Sequence, residues 1–275
     1  MHTIDTLVED IEALFQGETH TCDPANLSDV GSRIADKIAN SLKERKEPTK
    51  ALRMSQIGKK DRQLWLQHRE TESEAFPSNV KVKFLFGDII EELLIFLAKE
   101  AGHTVTAESD RVEVDGVQGE IDCDIDGVTV DVKSAASRSF LKFKDGSLLD
   151  EGQDPFGYMD QISGYSHARK TDGAFLAMDK QLGHIAVLQV PKHKMSNIPE
   201  RVEHLKEILP KDEMPPLCAE PVPDGKSGNM KLATLCSYCR FKKVCFPDLR
   251  TFIYSTGPRY LVQVERAPNV PEAIA

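Results

Sequence analysis

Residues 119–133 read GEIDCDIDGVTVDVK. In an extended strand residues two apart share a face, so Glu120, Asp122, Asp124 and Asp126 are expected on one side and Ile121, Cys123 and Ile125 on the other. The next strand repeats the alternation, with Asp131 and Lys133 on one face and Val130 and Val132 on the opposite one. An acidic solvent face on a half-buried sheet is one reading of any two of these acids. Asp122, Asp131 and Lys133 suggest more. Val128, Val130, Val132, Ala135 and Ala136 mark a central strand, where crowded carboxylates repel one another unless a cation sits between them. A lysine two residues after an acid adds the positive charge with which such a site would hold a phosphate or polarise a water.

A second set is made of sulfur. Of six cysteines, Cys236, Cys239 and Cys245 fall in NMKLATLCSYCRFKKVCFPD, while Cys22, Cys123 and Cys218 are scattered. The spacing C-x2-C-x5-C is that of metal ligands, and a reducing compartment favours metal over disulfides; three unrelated buried thiols are the alternative.

The elements that must carry these residues follow from hydrophobic period. Ile4, Leu7, Val8, Ile11, Leu14 and Phe15, then Leu27, Val30, Ile34, Ile38 and Leu42, mark two amphipathic helices. DIIEELLIFLAKE, 88–100, is apolar on most sides and stops before Gly102, which predicts a largely buried helix. Beyond it the period becomes 2, and RVEVDG, GEIDCDIDG and VTVDVKSA predict a three-stranded antiparallel meander. A helix over 156–169, two strands over 174–190 and a helix over 198–208 follow, then a Pro-rich segment leads into the cysteine run. The expected fold class is α/β, a mixed central sheet flanked by helices, with N-terminal helices and a C-terminal metal-cysteine knot. The expected divisions are 1–50, 51–210 and 211–275.

The chain has 275 residues and a net charge of -9, which argues against a polybasic clamp on nucleic acid. Yet residues 108–131 hold nine acids and one Arg, and the remainder is balanced, 34 basic against 35 acidic side chains. Residues 43–62 hold eight Lys and Arg against three acids, and residues 225–260 hold seven against one, with Tyr238, Phe241, Phe246 and Tyr254 interleaved. The second run has the composition of a strand-binding surface, through phosphate contacts and base stacking. No stretch approaches the roughly 18–20 apolar residues of a membrane span, and the acidic N-terminal stretch is unlike a signal peptide. A cytoplasmic protein with no membrane partner is expected, in host cytoplasm if viral.

GEID, a short hairpin and DVK resemble the core of the PD-(D/E)XK nuclease superfamily, in the RecB-type branch that includes lambda exonuclease and the CRISPR-adaptation nucleases. FGDIIEELL matches the branch's helix motif with Gly87 and Glu91, glutamate standing where many members have histidine, and GYMDQISGYSHA matches its Q-x-x-x-Y with Gln161 and Tyr165. The resemblance covers roughly residues 51–250. It implies a restriction-endonuclease-like core in which Glu91, Asp122, Asp131 and the Val132 carbonyl hold Mg2+ or Mn2+. Lys133 would orient the attacking water, Gln161 would position a phosphate or that water, and Tyr165 would pack. The cysteine triplet resembles that of iron-sulfur nucleases of the branch, whose fourth cysteine lies upstream. Here SQIGKKDRQLWLQ supplies Ser55, Arg62, Gln63 and Trp65 but no cysteine, Lys60 lying nearest that place, so Cys218 is the local substitute. A 4Fe-4S cluster and Zn2+ both stay open. So do DNA contacts for Ser55, Arg62, Trp65, Arg240, Lys242 and Lys243, with packing as the alternative for Arg62 and Trp65. The implied activity is a DNA exonuclease of bacteriophage source, working in replication, recombination or host DNA breakdown; the alternatives are a structure-selective endonuclease and a non-catalytic DNA-binding protein. No phosphate-binding loop of the helicase type is present, so unwinding would need a helicase or recombinase partner. Oligomeric state is open.

Overall fold

The computed structural model describes residues 2–16, 19–43 and 51–273. The basic run counted over 43–62 therefore lies partly, at 44–50, outside the described residues. Along the chain run helices α1 (Leu7–Ala13), α2 (Pro24–Ser41), α3 (Asp61–His68) and α4 (Ser78–Glu100). Strands β1 (Val105–Thr106), β2 (Arg111–Val114), β3 (Val117–Glu120), β4 (Cys123–Ile125) and β5 (Val128–Ala135) come next. They are followed by α5 (Ser137–Lys144), α6 (Tyr158–Arg169), β6 (Gly173–Asp179), β7 (Ile185–Val190) and α7 (Ile198–Ile208). The last part holds β8 (Val222–Pro223), β9 (Met230–Lys231), α8 (Thr234–Ser237), α9 (Lys242–Cys245), β10 (Arg250–Tyr254) and β11 (Gly257–Gln263). Among the described residues no helix is long and apolar enough to cross a membrane.

Two compact units result, one of residues 1–58 and 77–202, the other of residues 59–76 and 203–275. The first is a mixed α/β layer structure. Its sheet has the order β1-β4-β5-β6-β7, with β5 and β6 parallel and the other pairs antiparallel. Alternation along β5 sends Val130 and Val132 into a core shared with Leu94, Ile95 and Ala98 of α4 and Leu7 and Ile11 of α1. Asp131 and Lys133 face the other way, toward the layer where Phe140 and Phe143 of α5 and Ile162 of α6 pack on Phe175 and Ala177. β5 lies between β4 and β6 as expected of a central strand, so the acid on it has no solvent: Asp131 is fully buried.

The meander expected from period 2 is divided. β2 and β3 form their own hairpin, and the chain leaves the ladder at Ile121–Asp122 before β4 joins the five-stranded sheet. Ile121 N–H is bound to the Asp110 carbonyl at this crossing. α4 begins ten residues earlier than the apolar run at 88, because exposed Val82, Phe84 and Phe86 give its first turns no one-sided pattern. α5 and the β10–β11 hairpin were not expected at all.

α6, which carries Gln161 and Tyr165, starts at Gly157, held at φ +79°. A Cβ there would stand 2.4 Å from the backbone of Gly58, so glycine is needed both for the left-handed turn and for the close approach. In the second unit the antiparallel sheet runs β10-β11-β9-β8, and the short helices α8 and α9 carry Cys236 and Cys245, with Cys239 between them.

Candidate active site

Cys123 pairs with Val130, so Asp122 stands opposite Asp131 just where β4 ends. The Asp122 carboxylate takes over from the missing ladder: its Oδ2 accepts from Val132 N–H at 2.6 Å. Asp131 makes an ion pair with Lys133 and accepts through Oδ1 from Gln161 Nε2 at 3.1 Å. The same Gln161 amide donates to Tyr165 Oη at 3.2 Å. Gln161 and Tyr165, one turn apart, thus work as one support behind Asp131. Gln161, expected to position a phosphate or the attacking water, here holds the carboxylate, and Tyr165, expected to pack or contact the strand, accepts from Gln161.

The site gathers negative charge away from solvent. Burial, then the neighbouring Asp131 and Glu91 carboxylates, push the Asp122 carboxyl well above the usual range. Burial also raises Asp131, against the pull of Lys133. Lys133 is raised further still: burial opposes its charge, but Asp131 and Asp122 outweigh that. Its ammonium is thus favoured by the two carboxylates beside it, a setting for a hydrogen-bond donor and counter-charge. Tyr165 is raised by burial and by Asp131, so its phenol stays protonated.

Glu91, on α4, is near enough to raise Asp122, yet its Oε1 accepts from Lys37 of α2 at 3.0 Å. Lys37 also reaches the buried Glu92 at 3.3 Å, and Arg33 reaches it at 3.5 Å. Burial raises Glu91 first, and Glu92 and Asp88 add to it. Gly87 imposes no steric demand: a Cβ there would meet Ser134 Oγ at an ordinary 3.5 Å.

Sequence reasoning missed Lys37, which no motif marks, and Tyr158, whose ring lies 5.0 Å from Lys133 Nζ. Tyr158 had a signal, since three residues before Gln161 is the same helix face. The face shared by four acids is corrected by the break at Ile121–Asp122. Glu120 is exposed on the separate hairpin. Asp124 binds Thr129 Oγ1 at 2.7 Å and Arg169, and Asp126 binds His103 Nδ1 at 2.7 Å. Only Asp122 is left to stand with Asp131.

In the second unit Cys218, Cys236 and Cys239 are each raised by burial and, in addition, by other thiols of the set. Burial, then Cys218, Cys239 and Cys245, push Cys236 up to about 11. Burial raises Cys218, with Cys239 and Cys245 adding to it, and a Gln63 backbone N–H points back at its sulfur. Cys239 Sγ accepts from Phe241 N–H at 3.4 Å. Cys218 thus stands beside the C-terminal triplet, and residue 63 of the upstream motif borders it.

The basic residues around this knot are engaged. Arg240 Nε donates to the Glu74 carbonyl at 2.7 Å, Lys242 pairs with the Glu74 carboxylate, and Lys243 lies 3.4 Å from it. Lys231 and Arg259 meet at the buried Asp224, and Arg250 pairs with Glu272. Arg62 donates to the Pro215 carbonyl at 3.2 Å. Trp65 is 8% exposed and donates to the Lys211 carbonyl at 2.8 Å, which is the packing role. Ser55 is exposed beside the buried Met54. Phe241 is buried, whereas Tyr238 is 70% exposed.

No protein-family model matches the chain, and no curated protein does. Among solved structures, an alkaline exonuclease from Laribacter hongkongensis aligns at 14% identity with a TM-score of 0.42, covering 64% of this chain and 92% of its own. A phage-related exonuclease from Haemophilus somnus 129PT aligns at 17% identity and a TM-score of 0.41, covering 58% and 93%. A protein designated SSO0001 aligns at 14% identity and 0.40, covering 78% and 95%.

Proposed function

We propose that the protein is a metal-dependent DNA nuclease and that it acts as an exonuclease on linear ends. The observation that carries the reading is the meeting of Asp122, Asp131 and Lys133 at the end of β4, with Gln161 fixed on Asp131. A buried carboxylate raised by two carboxylate neighbours belongs to a donor set suited to a hard divalent cation, and oxygen ligands from Asp122, Asp131, Glu91 and the Val132 carbonyl would hold magnesium or manganese. When bound, such an ion lowers the pKa of water and offsets phosphate charge.

The chain's own groups do the rest. Lys133, as the ammonium, donates to the attacking water or to a phosphate oxygen. Gln161 and Tyr165 keep the Asp131 carboxylate from turning away, a preorganisation of the kind that stabilises a transition state without reorganising during reaction. Asp131 sits in a central strand and is held in one orientation before DNA arrives. DNA is the proposed partner, with bacteriophage recombination or replication as the setting and a helicase or recombinase as companion.

Cys218, Cys236, Cys239 and Cys245 would hold a 4Fe-4S cluster or zinc that ties together a unit poor in long elements. The C-x2-C-x5-C spacing supports a shared ion or cluster, and Cys218 and Cys236 are each raised by burial and by other thiols of the set, a cost that binding would relieve.

End-labelled linear DNA and closed circular DNA, each with magnesium or with chelator, test the reading. Magnesium-dependent loss of linear DNA alone is expected. Nicked circles would move the assignment to an endonuclease, and binding without cleavage in magnesium would refute the enzyme.

A further inference from the structure

At the far end of β4 from Asp122, some four residues and roughly 13 Å along the strand, a different set of ligands converges. His103 follows Gly102, which ends α4 at φ +86°, and its side chain is wholly buried. Its Nδ1 lies 2.7 Å from Asp126 Oδ2, and Asp126 Oδ1 accepts from Thr104 N–H at 3.0 Å. A carboxylate only accepts, so Nδ1 carries the proton and the lone pair of a neutral ring is on Nε2.

That Nε2 has no hydrogen-bond partner. It lies 3.2 Å from Asp10 Oδ2, without the geometry of a hydrogen bond. His2 Nδ1 is 2.9 Å from the same oxygen, and the two imidazole rings stand 5.1 Å apart, tilted by 57°. Gly102 makes room for His2, since a Cβ there would fall 3.2 Å from its Nε2. Thr6 Oγ1 donates to Asp10 Oδ2 at 2.7 Å and fixes the carboxylate. One ligand atom from each of His2, Asp10 and His103 lies within 4.8 Å of the other two.

A buried nitrogen lone pair facing a carboxylate oxygen needs positive charge between or upon them. A second proton on His103 would supply it, and so would a metal ion. Three features favour the metal. The ligands are two imidazoles and one carboxylate, a set that suits zinc-class ions over magnesium or calcium. With ligands at about 2.0–2.1 Å, a tetrahedral ion wants them roughly 3.3 Å apart, close to the spacing already present. Asp126 behind His103 supplies the outer carboxylate that orients a ligating imidazole and strengthens it as a donor.

We infer that His2, Asp10 and His103 form a binding site for a zinc-class divalent cation, with Asp126 as the positioning residue. The ion would fasten residue 2 and α1 to the end of α4 and to the β4–β5 turn. The inference is independent of the nuclease reading, because none of these residues belongs to the Asp122 site.

Zinc retained after equilibrium dialysis of the full chain tests it. Because zinc would also enter the proposed cysteine and Asp122 sites, the readout is the difference between proteins. Wild type should hold one equivalent more than His2→Gln or His103→Gln, and Asp126→Asn should weaken that equivalent about 10–100-fold. Cobalt titrated into the same proteins should lose visible bands in the two histidine variants while thiolate charge-transfer bands stay unchanged. Should the buried His103→Gln fail to fold, the exposed His2→Gln decides alone. Equal zinc in wild type and His2→Gln would overturn the site.

Discussion

Asp131 and Lys133 are legible from type and spacing because alternation on a strand is rigid, and a charged pair on an otherwise apolar strand calls for a partner or an ion. Replacing either by alanine should abolish cleavage, by at least 10²–10³-fold, while circular dichroism stays native-like. Lys133→Ala leaves a buried carboxylate without its cation, so a lower Tm accompanies the loss. Wild-type activity in either purified variant would refute the assignment. The raised Asp122 and Asp131 also set a pH dependence. Because both folded pKa values lie above the unfolded ones, these groups favour the fold most below the unfolded carboxylate pKa, and that contribution is lost as pH rises through the folded values. Magnesium should replace it, so the rise in Tm on adding magnesium should be larger at pH 7.5 than at pH 5, where protons compete for the same oxygens. Gln161 shows the limit of reading by residue: its presence on a helix was evident, but that its amide faces Asp131 depends on how α6 lies over β5.

Elements show the same division. The strands at 173–179 and 185–190 and the helix at 198–208 follow from clean periods. The meander did not survive, because alternation is equally satisfied by one sheet or two, and only the packing of Ile121 and the bond from its N–H to Asp110 decide where the chain leaves the ladder. α5 was invisible because SRSFLKFK offers just Phe140 and Phe143 as buried anchors. The seating of α6 supplies a test. Gly157→Ala would combine an unfavourable φ of +79° with a backbone clash at Gly58, and should cost about 1–3 kcal/mol in denaturant unfolding, more if the helix cannot shift. Cleavage should fall with it, since Gln161 moves with the helix; an unchanged unfolding midpoint would count against this seating.

Across the whole molecule, charge is where sequence and structure diverge most. The basic run at 225–260 has one acid within it, yet Lys231, Arg240, Lys242, Arg250 and Arg259 find Glu74, Asp224 and Glu272 from outside the window. The cysteine unit behaves similarly: three thiols are a local motif, whereas the influence of Cys218 on Cys236 arises only on folding. If an iron-sulfur cluster is held there, anaerobically purified protein should be brown, and Cys239→Ser should bleach it and lower Tm; colourless protein with one zinc per four thiols would settle for zinc. Local spacing, then, was enough to place Asp131 and Lys133 on one face of a strand with Asp122 opposite and to single out the cysteine triplet, because strand and ligand spacings repeat over a few residues. Lys37 on Glu91, the split of the acidic strands, the pairing of the basic surface and the His2–Asp10–His103 cluster join residues tens to hundreds of positions apart, and such contacts exist only once burial has brought the elements together.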